Sequence, residues 1–201
     1  DARRRPLQIR SVGAAAPDVP APLVEQLAAL RAIPGLVVIR PCEANETAEA
    51  WRYALESEKG PVALCLTRQK APTLDREKFA SAERLRRGAY VLADLNVDTK
   101  PDVILIATGS EVALAMDAAK GLTEQGRRMR VVSMPCTDLF DTQPQQYRES
   151  VLPQGVPAVA IEAGVGDGWW RYVSSRGAVI GMESFGASAP ASRLFEHFGY
   201  T

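Results

Sequence analysis

Short apolar runs alternate with longer stretches of helical period along most of the chain. Leu23, Leu27 and Leu30 share one face of a helical run over residues 23–31. The β-branched run LVVIRP at 36–41 reads as a buried strand. Helical spacing returns over 43–58 through Ala44, Ala48, Trp51 and Leu55, with Glu43 and Glu46 favourably placed in the first turn and Lys59-Gly60 as the stop. PVALCLTR, 61–68, is a second strand. Strand, helix and strand in that order predict a βαβ unit with parallel, neighbouring strands and a right-handed crossover.

The pattern resumes after a polar stretch. Apolar runs recur at 89–94, 102–109, 130–135, 158–164 and 178–186. The clearest helix between them covers 110–125, with Val112, Ala115, Met116, Ala119 and Leu122 on one stripe and Gly126 as its C-cap. Shorter helical segments are expected at 145–150, 166–175 and 190–198. The fold class is therefore α/β, a mostly parallel sheet flanked by helices, preceded by the partial βαβ piece. Four segments follow: an irregular Ala/Pro-rich lead-in at 1–22, the βαβ unit at 23–70, a linker at 71–88, and a domain at 89–201. The βαβ unit by itself is too small to bury both faces of a sheet. It is expected to belong to a larger domain and to leave an apolar face and sheet edges uncovered.

Composition narrows the function classes. Of 201 residues, 46% are hydrophobic and 24% charged, as in a soluble globular protein. Lys+Arg and Asp+Glu stand at 24 each, so no net charge draws the chain to nucleic acid. No apolar run approaches the ~20 residues of a membrane-spanning helix. Cys42, Cys65 and Cys136 fit no zinc or CxxC spacing and sit in or beside apolar runs, which predicts buried, reduced thiols in a cytoplasmic protein. His197, flanked by Phe195 and Phe198, is the sole histidine, so no His-rich metal site is available. The sequence does not begin with Met, and it reads as an excerpt, a processed product or a mis-started reading.

Arg68 is the first candidate for chemistry. It ends a buried parallel strand, where open α/β sheets bind ligands, and a guanidinium there can clamp a phosphate with two parallel hydrogen bonds; the alternative is a structural ion pair. Arg40 ends the neighbouring strand and carries the same two readings. In ATGSE, 107–111, Gly109 permits a tight turn, Ser110 can cap a helix, and Glu111 opposes an incoming phosphate, so a capped helix start is expected there. GVGDGWW, 164–170, fails the dinucleotide fingerprint because Trp169 stands where the third glycine belongs; Trp169 and Trp170 are expected to open an interface-facing helix. Glu162, at the end of a buried run, needs a partner. It is either an acid/base group or a packing and subunit-contact group.

Longer words carry a resemblance. VVSMPCTDLFDTQPQQYRESVLP, AIEAGVGDGWWRYV and GMESFGASAPASRLFEHFGYT closely resemble the C-terminal domain of bacterial-type transketolases. PGLVVIRPCEANETAEAWRYAL and GPVALCLTRQ look like the end of that family's middle, pyrimidine-binding domain. The resemblance covers about residues 23–201. It implies transfer of a two-carbon ketol unit between sugar phosphates, in the pentose phosphate pathway, using thiamine diphosphate and a divalent metal (Mg or Ca), in homodimers with active sites at the subunit interface. It also implies a substrate-binding role for Arg68, which occupies the position of the arginine that contacts the sugar phosphate. The family's HDS and GEDGPTHQP motifs, with their substrate-contacting histidines and aspartate, belong just before the PVEQL-like segment; here that stretch reads RSVGAAAPDVPAPLVEQL, and Asp18 is not carried over. The cofactor-activating glutamate and the diphosphate- and metal-binding domain have no counterpart in these 201 residues.

The expectation is a transketolase fragment with no catalytic, cofactor or metal residue of its own, inactive in isolation. The alternatives are one subunit of a split enzyme completed by a complementary chain, or a non-catalytic dimerisation or binding module of the same fold. Neither nucleic acid nor a membrane is expected as a partner.

Overall fold

Five strands of the computed structural model form one sheet, in the order β3-β5-β4-β6-β7: β3 is Tyr90–Leu95, β4 Val103–Ala107, β5 Met129–Ser133, β6 Ala158–Val165 and β7 Ala178–Met182. The structure describes residues 24–58, 60–67, 70–173 and 175–183, with positions 193 and 196. The lead-in at 1–22, Leu23, Arg68, the segment closing on His197 and most of the helix expected over 190–198 lie outside the described residues. The sheet is parallel except for β3, which runs antiparallel to β5 with a register shift between Val91 and Ala93.

The two faces of this sheet bury different residues because strand side chains alternate. On β4, Leu105 and Ala107 pack with Val112, Ala115, Met116 and Ala119 of helix α3, Glu111–Glu124. Ile104 and Ile106 point the other way, toward Phe140, Val151 and Trp169. Phe140 lies in α4, Thr137–Asp141, a helix with no counterpart among the expected elements. Val151 ends α5, Gln145–Val151. The helix expected over 166–175 is a single 3-10 turn, Asp167–Trp169, and β6 runs on through Val165.

The N-terminal unit forms as expected in topology. Helix α1, Val24–Arg31, precedes β1, Val37–Ile39, then α2, Ala44–Glu56, then β2, Val62–Leu64, and the two strands are parallel. The apolar stripe expected on α2 is corrected. Ala44 and Ala48 are exposed, and so is Leu55, at 69%. The buried face carries Glu46, Ala50 and Ala54 instead. Two alanines one turn apart let the helix approach the strands closely, and Trp51, half-buried, packs at the edge of the same cluster.

The uncovered apolar face expected of this unit is also corrected. Val38 packs against Leu27 of α1 on one side of the strands. Ile39, Val62 and Leu64 pack against α2 on the other, and that cluster is completed by Leu85 and Cys136 from beyond the unit. Leu85 sits in a 3-10 helix, Ala82–Arg87, inside the polar stretch read as a linker, and is fully buried. The missing cover is thus supplied by later parts of the same chain.

Candidate functional site

The chain leaves β4 toward β5 on one side and leaves β6 toward β7 on the other, although β4 and β6 are parallel neighbours. Where the winding reverses in this way, the carboxyl ends of the two strands part around a crevice, the usual ligand position of open α/β sheets. Ala107 of β4 is paired with Ile161 of β6, so Thr108 and Glu162 stand side by side at its mouth. Glu111 reaches in from the first turn of α3.

Two arginines of the N-terminal unit fill this crevice. Arg31, the last residue of α1, grips Glu162 with both prongs of its guanidinium, Nη1 to Oε2 at 2.7 Å and Nη2 to Oε1 at 2.9 Å. The same guanidinium lies 5.5 Å from the ring centroid of Trp169, whose Nε1 donates to Glu162 Oε2 at 2.7 Å. Arg40, just past β1, donates to the Thr108 carbonyl at 2.9 Å and forms a short ion pair with Glu111, with Glu162 a further 3.7 Å away. Ser110 does not cap α3 as expected; its hydroxyl donates to Glu111 Oε1 at 2.7 Å. Gly109 has φ +57, and a Cβ there would lie 2.6 Å from the Arg40 guanidinium carbon. Glycine at this turn therefore makes room for the arginine as well as for the backbone.

The electrostatics follow from the pairing. Glu162 is 1% exposed, and burial alone would raise its pKa. The charges and hydrogen bonds of Arg31, with Arg40 and Trp169, outweigh burial and hold the carboxyl below its ordinary range. It is therefore ionised at neutral pH, and its donors are already in place, which suits an ion-pair partner and not a proton-transfer group. Of the alternatives open for Glu162 and Arg40, the structural pair is the one observed.

A second buried carboxylate joins the units in the opposite sense. Glu46 of α2 accepts from Tyr90 Oη at 2.6 Å, from Ser133 Oγ at 2.6 Å and from the Cys42 backbone N–H at 2.8 Å. Glu43, which caps α2 through the N–H groups of Asn45 and Glu46, forms a short ion pair with Arg76. Arg76 also donates to Tyr90 Oη at 3.0 Å. Burial, with the Glu46 carboxylate beside it, pushes the Tyr90 phenol well above its usual range. The three cysteines are free and buried, and burial raises each thiol, Cys136 to about 12, so none is a ready nucleophile.

Arg31, Glu46 and Arg76 were not singled out by sequence. Glu46 left one readable trace: it lies one turn before Ala50 and two before Ala54, small residues that with Glu49 make up the buried side of α2. Trp169 and Trp170, read as a pair facing an interface, are divided: Trp169 is buried and Trp170 is 57% exposed. Arg68 is not among the described residues. An open surface pocket of about 570 Å³ lies between Phe140, Asp141, Arg148, Glu149 and Tyr172, but its charges are mixed and its Arg171 is already held by Asp141 at 2.5 Å. Among the described residues, no group of three or more His, Cys, Asp or Glu is placed to hold a metal ion, and no helix is long and apolar enough to cross a membrane.

Comparison with known proteins gives two family matches. The "Transketolase-like TK C-terminal domain" family matches residues 88–201, and the "Transketolase, pyrimidine binding domain" family matches residues 19–73. A transketolase of Aquifex aeolicus is 52% identical over 179 residues, which is 89% of this chain and 26% of that protein. The solved transketolase from Leishmania mexicana superposes with a TM-score of 0.79 at 49% identity, covering 89% of this chain and 25% of that one. A structure described as a split gene transketolase, inactive beta4 tetramer, superposes with a TM-score of 0.71 at 26% identity, covering 89% of this chain and 58% of that one. The chain thus spans about a quarter of the length of the single-chain relatives it matches.

Proposed function

The chain belongs to the transketolase family, and on that premise we propose that it is the C-terminal part of a ketol-transferring enzyme, inactive as an isolated polypeptide of these 201 residues. The observation that carries this reading is the position of the match: 52% identity confined to 26% of a relative's length. The activity to which it contributes is transfer of a two-carbon unit between sugar phosphates, in the pentose phosphate pathway of the cytoplasm, within a homodimer or with a complementary chain. Arg68 is the residue through which it touches substrate. In sequence it comes four residues after Leu64, the end of β2, and a guanidinium fork suits a phosphate.

The family depends on thiamine diphosphate. The residues described here do not fit that cofactor or its divalent metal. Activation of thiamine calls for a glutamate in a closed, dry pocket. Of the buried carboxylates among the described residues, Glu43, Glu46, Glu111 and Glu162 are instead engaged by arginines, hydroxyls, an indole and backbone N–H groups, and Glu49 lies 3.5 Å from Arg52 and 3.7 Å from Arg86. No catalytic step is therefore assigned to this chain by itself. Calorimetric titration of the purified chain with thiamine diphosphate and magnesium is expected to show no binding, and a coupled assay no ketol transfer. Turnover by the chain alone would sink the proposal.

A second reading, one subunit of a split enzyme, draws support from the superposition on the split gene transketolase chain. It predicts that a complementary chain carrying the remaining domains restores ketol transfer. In that complex Arg68→Ala should raise KM for phosphorylated substrates with little change in kcat. A mixture that stays inactive and does not associate counts against it.

A further inference from the structure

The crevice between β4 and β6 is built to receive a guanidinium, and its chemistry is one-sided. Its polar groups at the mouth are two carboxylates, Glu162 and Glu111, and the carbonyl of Thr108. Three donors that such a crevice could offer to anions are spent internally. The Gly109 N–H, at the start of α3, donates to the Arg40 carbonyl at 3.2 Å. The Ser110 hydroxyl donates to Glu111, and the Trp169 indole N–H to Glu162. Two carboxylates, a carbonyl and the face of an indole thus line the seats, a combination suited to a planar, delocalised cation.

The two seats within the crevice are matched to that shape. Glu162 meets both prongs of Arg31 while Trp169 lies against the same guanidinium, so the seat offers a bidentate acceptor and a stacking surface. Arg40 takes the second seat, between the Thr108 carbonyl and Glu111, over a glycine that leaves no room for a Cβ. Among the described residues, Arg31 and Arg40 face Glu162 and Glu111, cation against anion.

We propose that the crevice between β4 and β6 is a guanidinium-binding site, occupied from within the chain by Arg31 and Arg40, and that the N-terminal unit docks on the sheet as its ligand. The ligand position of the C-terminal sheet thus serves assembly: it recognises arginines carried on an adjoining helix and strand end. The site does not depend on the enzymatic reading above, because it is defined by residues 31, 40, 108–111, 162 and 169 alone.

Chemical replacement tests the site in the full chain. Arg31→Ala removes one guanidinium and leaves Glu162 and Trp169 in place. Added N-ethylguanidinium chloride is expected to raise the thermal midpoint of this variant along a saturating curve. Ethylammonium chloride at the same concentrations, and N-ethylguanidinium added to the unsubstituted chain, should give no such curve. A flat response, or an equal rise in either control, overturns the proposal. Should Arg31→Ala fail to fold, Arg31→Lys keeps the charge and loses the planar fork. It is expected to lower the folding equilibrium constant by roughly tenfold, and a Lys variant as stable as the original chain overturns the proposal equally.

Discussion

The two sheets of this molecule solve the same problem with different means. The five-stranded sheet hides both faces under apolar side chains, with Leu105 and Ala107 toward α3 and Ile104 and Ile106 toward Phe140 and Trp169. The two-stranded unit has strands of three residues each and cannot bury enough surface within itself. It borrows Leu85 and Cys136 for its apolar cluster. It then exchanges charged and polar groups with the larger sheet in both directions. Arg31 and Arg40 go out to Glu162 and Glu111, while Glu43 and Glu46 receive Arg76, Tyr90 and Ser133. Such contacts add modestly to net stability but are costly to break from one side, so they fix how the pieces sit. A small unit can be held in a definite place by polar specificity where apolar area is scarce.

The largest disruption of this contrast should come at the joint between the regions. Gly88 links the 3-10 helix to β3 with φ +82, and a Cβ there would lie 2.1 Å from the Phe140 nitrogen and 2.4 Å from the Cys136 oxygen. Both neighbours are backbone and cannot swing aside. Gly88→Ala is expected to cost more than about 4 kcal/mol, read as loss of the cooperative melt in circular dichroism.

A matched pair of cavities compares the regions directly. Ile39 in β1 and Ile106 in β4 are both fully buried. Each Ile→Ala change should cost about 3 kcal/mol in urea unfolding. If the regions are joined as described, both variants will shift one common transition. Separate transitions for the two variants would show that the units unfold independently.

Acid should loosen the polar joint. Because the folded pKa of Glu162 lies below its ordinary value, its contribution to stability is present above the ordinary glutamate range and is lost as pH falls through the lowered value. Among the described residues, Arg31 of α1, Arg40 just past β1, Cys65 just past β2, Glu111 of α3 and the Trp169 N–H in the turn after β6 surround this group. Hydrogen exchange followed against pH should show protection over residues 24–67 falling no later than protection of β4 and β5. Earlier loss in the large sheet would reverse the comparison.

The smallest effect is expected where the helical pattern misled. Leu55 is 69% exposed on the outer face of α2, so Leu55→Ser should change stability by no more than about 0.5 kcal/mol in the same urea assay.

Much of the fold was legible because strands of this kind are continuous apolar runs, and the seven strands among the described residues lie where such runs predicted them. The α2 face was misread because alanine carries little hydrophobic signal. Leu55 outweighs Ala50 and Ala54 in any periodic count, yet the alanines are the buried residues that meet β1 and β2, with Trp51 partly buried at the edge of the same cluster. The arrangement in the crevice was half legible. Glu162 and Arg40 were visible as polar residues at the ends of apolar runs, which demands partners. Arg31 was not, since a basic residue in the last turn of a helix is satisfied by the helix dipole alone.

By itself, then, the sequence determined the order of the strands, the mostly parallel sheet and the family, because these rest on local periodicity and on contiguous words of sequence. Only the tertiary structure decided which carboxylate meets which arginine. The residues of one pair, Arg31 and Glu162, lie 131 positions apart, and nothing local in a chain specifies a contact across that distance. The winding of β4 and β6 in opposite directions creates the crevice, and the packing of α1 and β1 against it brings the two guanidinium groups inside.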